Sequence, residues 1–186
     1  MPGQTALLAD QIRRAFEGEA WHGDALLELL SDVDASAAIA KPVPNAHSIW
    51  EILLHIAAWD GAVVRRIGGT AVNLSDKENF PSINDPSQAA WKKAIDSVTK
   101  THGELVKAVA AFPDARLTEQ VPGKSQAYYN YYYMFSGIAQ HELYHAGQIA
   151  MLKKFAGAKP DRRNWLFSLF SVYLLCVFCG KSLRAL

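Results

Sequence analysis

The sequence predicts an all-α protein built around a four-helix bundle, with an extra apolar segment at its C-terminus. Apolar residues recur at spacings of three and four over several long stretches, and no stretch alternates apolar and polar residues as a half-buried strand does. The chain has 186 residues, of which 50% are hydrophobic, and a formal net charge of +1. That length and composition are sufficient for one domain with its own core.

Local start and stop signals place the helices. Ser48 and Glu51 form a capping box at the start of one helix, and Asp85-Pro86 suits the N-cap and first turn of the next, which Pro113 ends. We therefore expect helices over about 5–16, 26–33 (a shorter piece), 48–67, 85–112 and 134–152. The long connections between them are compatible with a crossover in the bundle.

Two histidines lie on the predicted inner face of the last helix. The residues of this face recur at steps of four and three, as they do along the seam of a helix bundle. They are Met134, Ile138, His141, His145, Gln148 and Leu152. Side chains four residues apart share a helix face, so His141 and His145 can bind one metal ion. A third ligand should come from a facing helix, where both His55 and His102 have suitable spacing. The alternative is a pair of hydrogen-bonded core histidines.

Residues 141–145 also read as HExxH, the zinc-protease motif in which Glu142 would be the general base. That class of enzyme needs a further protein ligand downstream, and no His or Glu follows His145. Strands that would bind a peptide substrate are also missing from the pattern. The sequence therefore argues against a protease, and Glu142 is equally well explained as a surface or inter-helix carboxylate or as a catalytic base.

Two stretches, HSIWEILLHIAAWD (47–60) and HELYHAGQIAMLKK (141–154), resemble the DinB/YfiT-like superfamily of metal-binding four-helix bundles. The resemblance covers roughly residues 4–158 and depends on Trp-x4-His at Trp50 and on His-x3-His-x-Gly-Gln at His141. It implies a divalent transition metal, zinc, nickel or iron, bound by His55, His141 and His145, and so selects His55 over His102. It also implies a homodimer and, by analogy with some members, a low-molecular-weight thiol as cosubstrate.

Neighbouring side chains are expected to orient these histidines or to line a pocket. Each metal-binding ring needs a hydrogen-bond acceptor for its other nitrogen. Near candidates in the last helix are Glu142, Tyr144 and Gln148. Candidates for the mouth of a pocket are Trp21, His22, Trp50 and Trp59, although aromatic residues at helical spacing belong more often to the core.

The expected function is that of a metal-dependent enzyme, of transferase or hydrolase type, acting on a small molecule. Residues 1–164 contain no cysteine, so any thiol in the chemistry would come from a cosubstrate. The alternative is a non-catalytic metal-binding or stress-response module. The near-zero net charge argues against nucleic-acid binding. Two cysteines cannot form a disulfide framework and no signal peptide is evident, so we expect a cytoplasmic protein.

The C-terminal segment differs in composition from the rest. We divide the chain into a bundle domain over 1–160 and an extension over 161–186, because 16 of the last 22 residues are apolar. A helix over 165–179 would span about 22 Å, which is short for a bilayer core of about 30 Å. A fifth docked helix or non-native sequence after a frameshift is therefore favoured over a membrane anchor. Cys176-x-x-Cys179 lacks the context of a redox or metal motif.

Overall fold

A computed structural model describes residues 2–157, and over this range the protein is helical, without a β-strand. Its helices are α1 (Gln4–Glu17), α2 (Leu26–Leu30), α3 (Ala35–Ile39), α4 (Ile49–Ile67), α5 (Asp76–Asn79), α6 (Gln88–Ala110) and α7 (Tyr131–Gly157). The all-α prediction is confirmed. The predictions for the C-terminal extension fall outside the described residues. None of the helices between residues 2 and 157 is long and apolar enough to cross a membrane.

The four long helices form the bundle. Helices α1 and α4 each pack against both α6 and α7, so the order around the bundle is α1, α6, α4, α7. Consecutive long helices α1 and α4 are therefore diagonal, as are α6 and α7, and the chain crosses an end of the bundle twice. Helices α2 and α3 lie in the first crossover, and a 3-10 turn at Asp114–Arg116 lies in the second.

Several helix boundaries follow the predicted signals, but α2 ends at Leu30, short of the predicted 26–33, and α7 extends past the predicted 134–152 at both ends. The Ser48 hydroxyl accepts from the Glu51 amide, and the Glu51 carboxylate accepts from the Ser48 amide, so the predicted capping box is confirmed. Helix α6 begins later than Asp85-Pro86 suggested, because Ser87 is the N-cap and accepts from the Ala90 amide. Helices α3 and α5 were not predicted, since pieces of five and four residues are too short to show a helical period.

The apolar core is divided into two clusters that follow one another along the bundle. On α4 the first cluster ends at Ile56 and partly buried Ala57, and buried residues of the second cluster resume at Val63. On α7 the buried residues of the second cluster end at Ile138 and the first cluster resumes at Ala146. Polar side chains occupy the turns between the two clusters, and both groups of titratable residues described below belong to this layer, with His55 at its edge beside Ile56.

Candidate metal centre

Three histidine rings converge between α4 and α7. His55 Nε2 lies 3.0 Å from His141 Nε2, and His145 Nε2 lies 3.1 Å from the same atom. The three ring nitrogens are close enough together to bind a single ion. The fold therefore assembles the three histidines that the resemblance implied, and it places His102 in a different group of residues.

Hydrogen bonds at the opposite ring nitrogens determine the tautomers of two of these histidines. His55 Nδ1 lies 2.9 Å from the carbonyl oxygen of Asn79, which can only accept, so Nδ1 carries the proton. His145 Nδ1 lies 2.7 Å from Gln148 Oε1, while the amide nitrogen of Gln148 donates to the Tyr144 hydroxyl. Both rings therefore direct an unprotonated Nε2 towards His141, which is the orientation that metal ligation needs.

The surroundings keep the three rings neutral. Burial, together with the neighbouring His145 and His55, lowers the pKa of His141 to about 3. Burial also lowers the pKa of His55 and of His145, although the hydrogen bonds to Asn79 and Gln148 oppose the change. Because a neutral imidazole is the form that binds metals, the group is suited to bind a cation at neutral pH.

A short element missed in the sequence holds His55 in place. Helix α5 ends at Asn79, whose backbone carbonyl accepts from His55 and whose side-chain Oδ1 accepts from Trp59 Nε1 at 2.9 Å. Phe80 follows directly and stacks on the His55 ring, with centroids 4.3 Å apart and planes 10° apart. The available sequence signal was the capping box formed by Ser75 and Glu78, which starts this helix.

A cavity of about 400 Å³ opens beside the three histidines. Its wall is largely aromatic and apolar, and includes Trp59, Val63, Tyr129, Tyr133, Met134, Ile138 and Tyr144. Arg66 also lines it, although this residue is only 1% exposed. Its Nη2 donates to the Val72 carbonyl at 2.7 Å, and Nε and Nη1 have no hydrogen-bond partner within residues 2–157. The cavity thus combines a histidine end, aromatic walls and a buried cation.

The predicted pocket residues divide into two groups. Trp59 and Tyr144 line the cavity, and Gln148 orients His145. Trp50 does not reach it, because the residue is 3% exposed and packs on Trp91 in the core. Trp21 is fully exposed and, with His22, lines a separate groove between the C-terminal half of α1 and α7. The prediction that Trp21, His22 and Trp50 line the pocket mouth is therefore corrected.

A second group, which we call the acid–histidine cluster, consists of Asp60 on α4, His102 on α6 and Glu142 on α7. His102 Nδ1 lies 3.1 Å from Glu142 Oε1 and 3.5 Å from Asp60 Oδ2. All three residues are 0% exposed, and Phe16 of α1 stacks on the His102 ring. Glu142 is therefore neither a surface carboxylate nor part of the cavity wall, and it faces the interior of the bundle.

The acid–histidine cluster holds protons tightly. Burial, together with the Asp60 charge, raises the pKa of Glu142 to about 8, and burial also raises the pKa of Asp60. Burial opposes protonation of His102, but the adjacent carboxylates outweigh it and raise its pKa to about 9. The electrostatics of this cluster are thus opposite to those of the three histidines.

The sequence contained a weak signal for this cluster. Glu142 lies seven residues after Phe135 and seven before Ile149, which are both buried, so it occupies a second apolar stripe of α7. The predicted seam ran from Met134 through His141 and His145 to Leu152 and did not include Glu142. Helix α7 is buried on two faces, and a single stripe therefore could not reveal the role of Glu142.

Comparison with known proteins supports the family that the motifs suggested. A sequence model of the DinB superfamily matches residues 20–149, a span that includes all three converging histidines. Comparisons with curated proteins and with solved structures gave no match. Because the matched span is well over half of the sequence and the described fold is an all-α bundle, this chain belongs to the DinB superfamily.

Proposed function

We propose that the protein binds one divalent transition metal ion through His55, His141 and His145 and uses it as an enzyme acting on a small molecule. The observation that carries the proposal is the convergence of two unprotonated Nε2 atoms on a third, at 3.0 and 3.1 Å. A single proton on His141 Nε2 can be donated fully to only one of these neighbours. A cation among the three nitrogens satisfies all of them.

The residues around the histidines have separate tasks in this proposal. Three imidazole ligands leave a coordination position for another ligand, as in catalytic zinc sites. A divalent metal in such a site supplies a Lewis acid that lowers the pKa of a water or thiol ligand. Asn79 and Gln148 orient two of the rings, and the aromatic walls bind the apolar part of a substrate and exclude water. The Arg66 charge favours an anionic ligand, such as a thiolate cosubstrate.

An enzyme is favoured over a non-catalytic metal-binding or stress-response module because the cavity adjoins the histidines. A structural metal site is normally closed by four protein ligands. His102, the residue with the spacing to act as a fourth ligand, belongs to the acid–histidine cluster instead. Imidazole ligands suit zinc, nickel and iron alike, so the proposal extends to all three metals.

The metal content of single variants tests the binding part of this proposal. His55→Ala, His141→Ala and His145→Ala should each lower the metal content by about one ion per chain, measured by mass spectrometry of the elements. His22→Ala is the matched control, because His22 is an exposed histidine outside the cavity. Unchanged metal content in all three variants would disprove the proposal.

Turnover assays test the catalytic part. The metal-loaded protein should convert members of a panel of electrophiles in the presence of small thiols, and His141→Ala and chelation should both abolish the reaction. Metal binding without turnover of any thiol–electrophile pair would favour the non-catalytic module. A homodimer, a cytoplasmic location and the absence of a nucleic-acid partner also stay predictions, and light scattering of the purified protein checks the first.

A further inference from the structure

The acid–histidine cluster leaves buried polar atoms without partners. Six side-chain atoms of Asp60, His102 and Glu142 are sealed from solvent and have no hydrogen-bond partner in the described part of the chain. The contacts of 3.1 and 3.5 Å at His102 Nδ1 are short, but they do not have the geometry of hydrogen bonds. Leaving a buried polar group unpaired costs about 1–3 kcal/mol, and more when the group is charged. The cluster therefore needs a further binding partner.

The charge balance indicates what kind of partner is needed. In the deprotonated state that would bind a cation, two carboxylates and one neutral imidazole carry a charge of −2, and the metal-free cluster avoids this charge by holding protons. The ion pairs formed between residues 2 and 157 include no Lys or Arg at Asp60 or Glu142. A buried net charge of this size is unfavourable unless it is neutralised. A divalent cation neutralises it and accepts lone pairs from all three side chains at once.

The distances match those of a metal site. One nitrogen or oxygen atom from each of the three side chains lies within 4.8 Å of the others. Ligand atoms about 2.1 Å from an ion are about 3.0 to 3.4 Å apart at octahedral and tetrahedral angles. The contacts of His102 Nδ1 with Glu142 at 3.1 Å and Asp60 at 3.5 Å agree with this geometry. The stacked ring of Phe16 holds the imidazole in position.

We propose that Asp60, His102 and Glu142 bind a second divalent cation, separate from the one at the three histidines. One imidazole and two carboxylates suit Mn²⁺, Fe²⁺ or Zn²⁺. Because the cluster is closed to solvent, this cation has a structural role: it ties α4, α6 and α7 together between the two core clusters. The second oxygen of either carboxylate completes the coordination.

Metal stoichiometry after reconstitution with saturating Mn²⁺ or Zn²⁺ tests this proposal. The wild-type chain should bind two ions, Asp60→Asn and His141→Ala should each bind one, and the double variant should bind none. Asp96→Asn is the matched control, because Asp96 is an exposed aspartate on α6 and its replacement should leave two ions bound. A His141→Ala variant that binds no ion, or an Asp60→Asn variant that still binds two ions, would overturn the proposal.

A measurement on the wild-type protein covers the case in which Asp60→Asn does not fold. Crystals grown with Mn²⁺ or Zn²⁺ should show an anomalous-scattering peak about 2.0–2.3 Å from His102 Nδ1 and from one oxygen of each carboxylate. Absence of that peak would mean that the cluster holds only protons, and the proposal would be wrong. If the three histidines bind no metal, the peak beside them is absent while the peak beside His102 is still present. The two proposals therefore fail independently.

Discussion

The three histidines and the acid–histidine cluster occupy the same polar layer, yet their environments are opposite. His141 and Glu142 are adjacent in the sequence, but successive residues of a helix are about 100° apart around its axis. His141 therefore faces the cavity and two other imidazoles, while Glu142 faces a buried carboxylate and His102. Burial removes protons from the imidazoles of the first group and retains them on the carboxylates of the second. The direction of a side chain, more than its position in the chain, determines its protonation.

The largest loss of stability should come from removing the imidazole of the acid–histidine cluster. His102→Leu leaves two buried carboxylates without their partner and should lower the free energy of unfolding by about 3–5 kcal/mol. His55→Leu, at the rim of the cavity, should cost much less in metal-free protein. Urea unfolding in the presence of a chelator measures both.

A triple replacement sharpens this prediction. Changing Asp60, His102 and Glu142 together to leucine removes every buried charge of the cluster, and this should recover most of the stability lost in His102→Leu. If His102→Leu and His55→Leu lowered the free energy of unfolding equally, the two groups would not differ in the way described above.

The next effect concerns metal affinity at the three histidines alone. Gln148→Leu removes the acceptor of His145 Nδ1, and losing such an orienting partner typically weakens metal binding by about 10- to 100-fold. Competition with a chromophoric chelator measures the change. Gln140→Leu, at an exposed position of α7, should leave the affinity unchanged. If Gln148→Leu also weakened metal binding at the acid–histidine cluster, the two groups would not be separate as described.

The pH dependence of metal-free stability should have two limbs with separate origins. The raised pKa of His102 means that its stabilisation is complete below its unfolded value of 6.5 and is lost as the pH rises through about 9. The lowered pKa of His141 means that its contribution is present above 6.5 and is lost as the pH falls towards about 3. Each proton contributes a slope of at most about 1.4 kcal/mol per pH unit.

Variants assign the two limbs. Unfolding measured across pH should show a flatter alkaline limb in His102→Leu and a flatter acid limb in His141→Ala. If either substitution altered the opposite limb, the assignment of the two environments would be wrong.

The smallest effect is expected at Trp21. This side chain is fully exposed in a groove separate from the cavity, so Trp21→Ala should change stability by less than about 0.5 kcal/mol and should leave metal content unchanged. Trp59→Phe provides the contrast, because it removes the hydrogen bond to Asn79 and should weaken metal binding at His55. Equal metal affinities in both variants would contradict the role assigned to Asn79.

Much of the fold could be predicted because its signals are local. The Ser48/Glu51 capping box and the spacing of apolar residues depend only on neighbours along one helix, and the structure reproduces both. The pairing of His141 with His145 is equally local, because residues four apart on a helix always share a face. The sequence alone therefore determined the long helices and two of the three histidines of the candidate site.

The tertiary structure determined which side chains of different helices contact one another. Spacing left His55 and His102 equivalent, and only the order of the helices around the bundle places His55 beside His141 and His102 beside Glu142. Asn79 reaches His55 across 24 positions of the chain, through a helix too short to have a period. These contacts depend on side chains from different elements meeting in space, and the packing of whole helices controls that meeting.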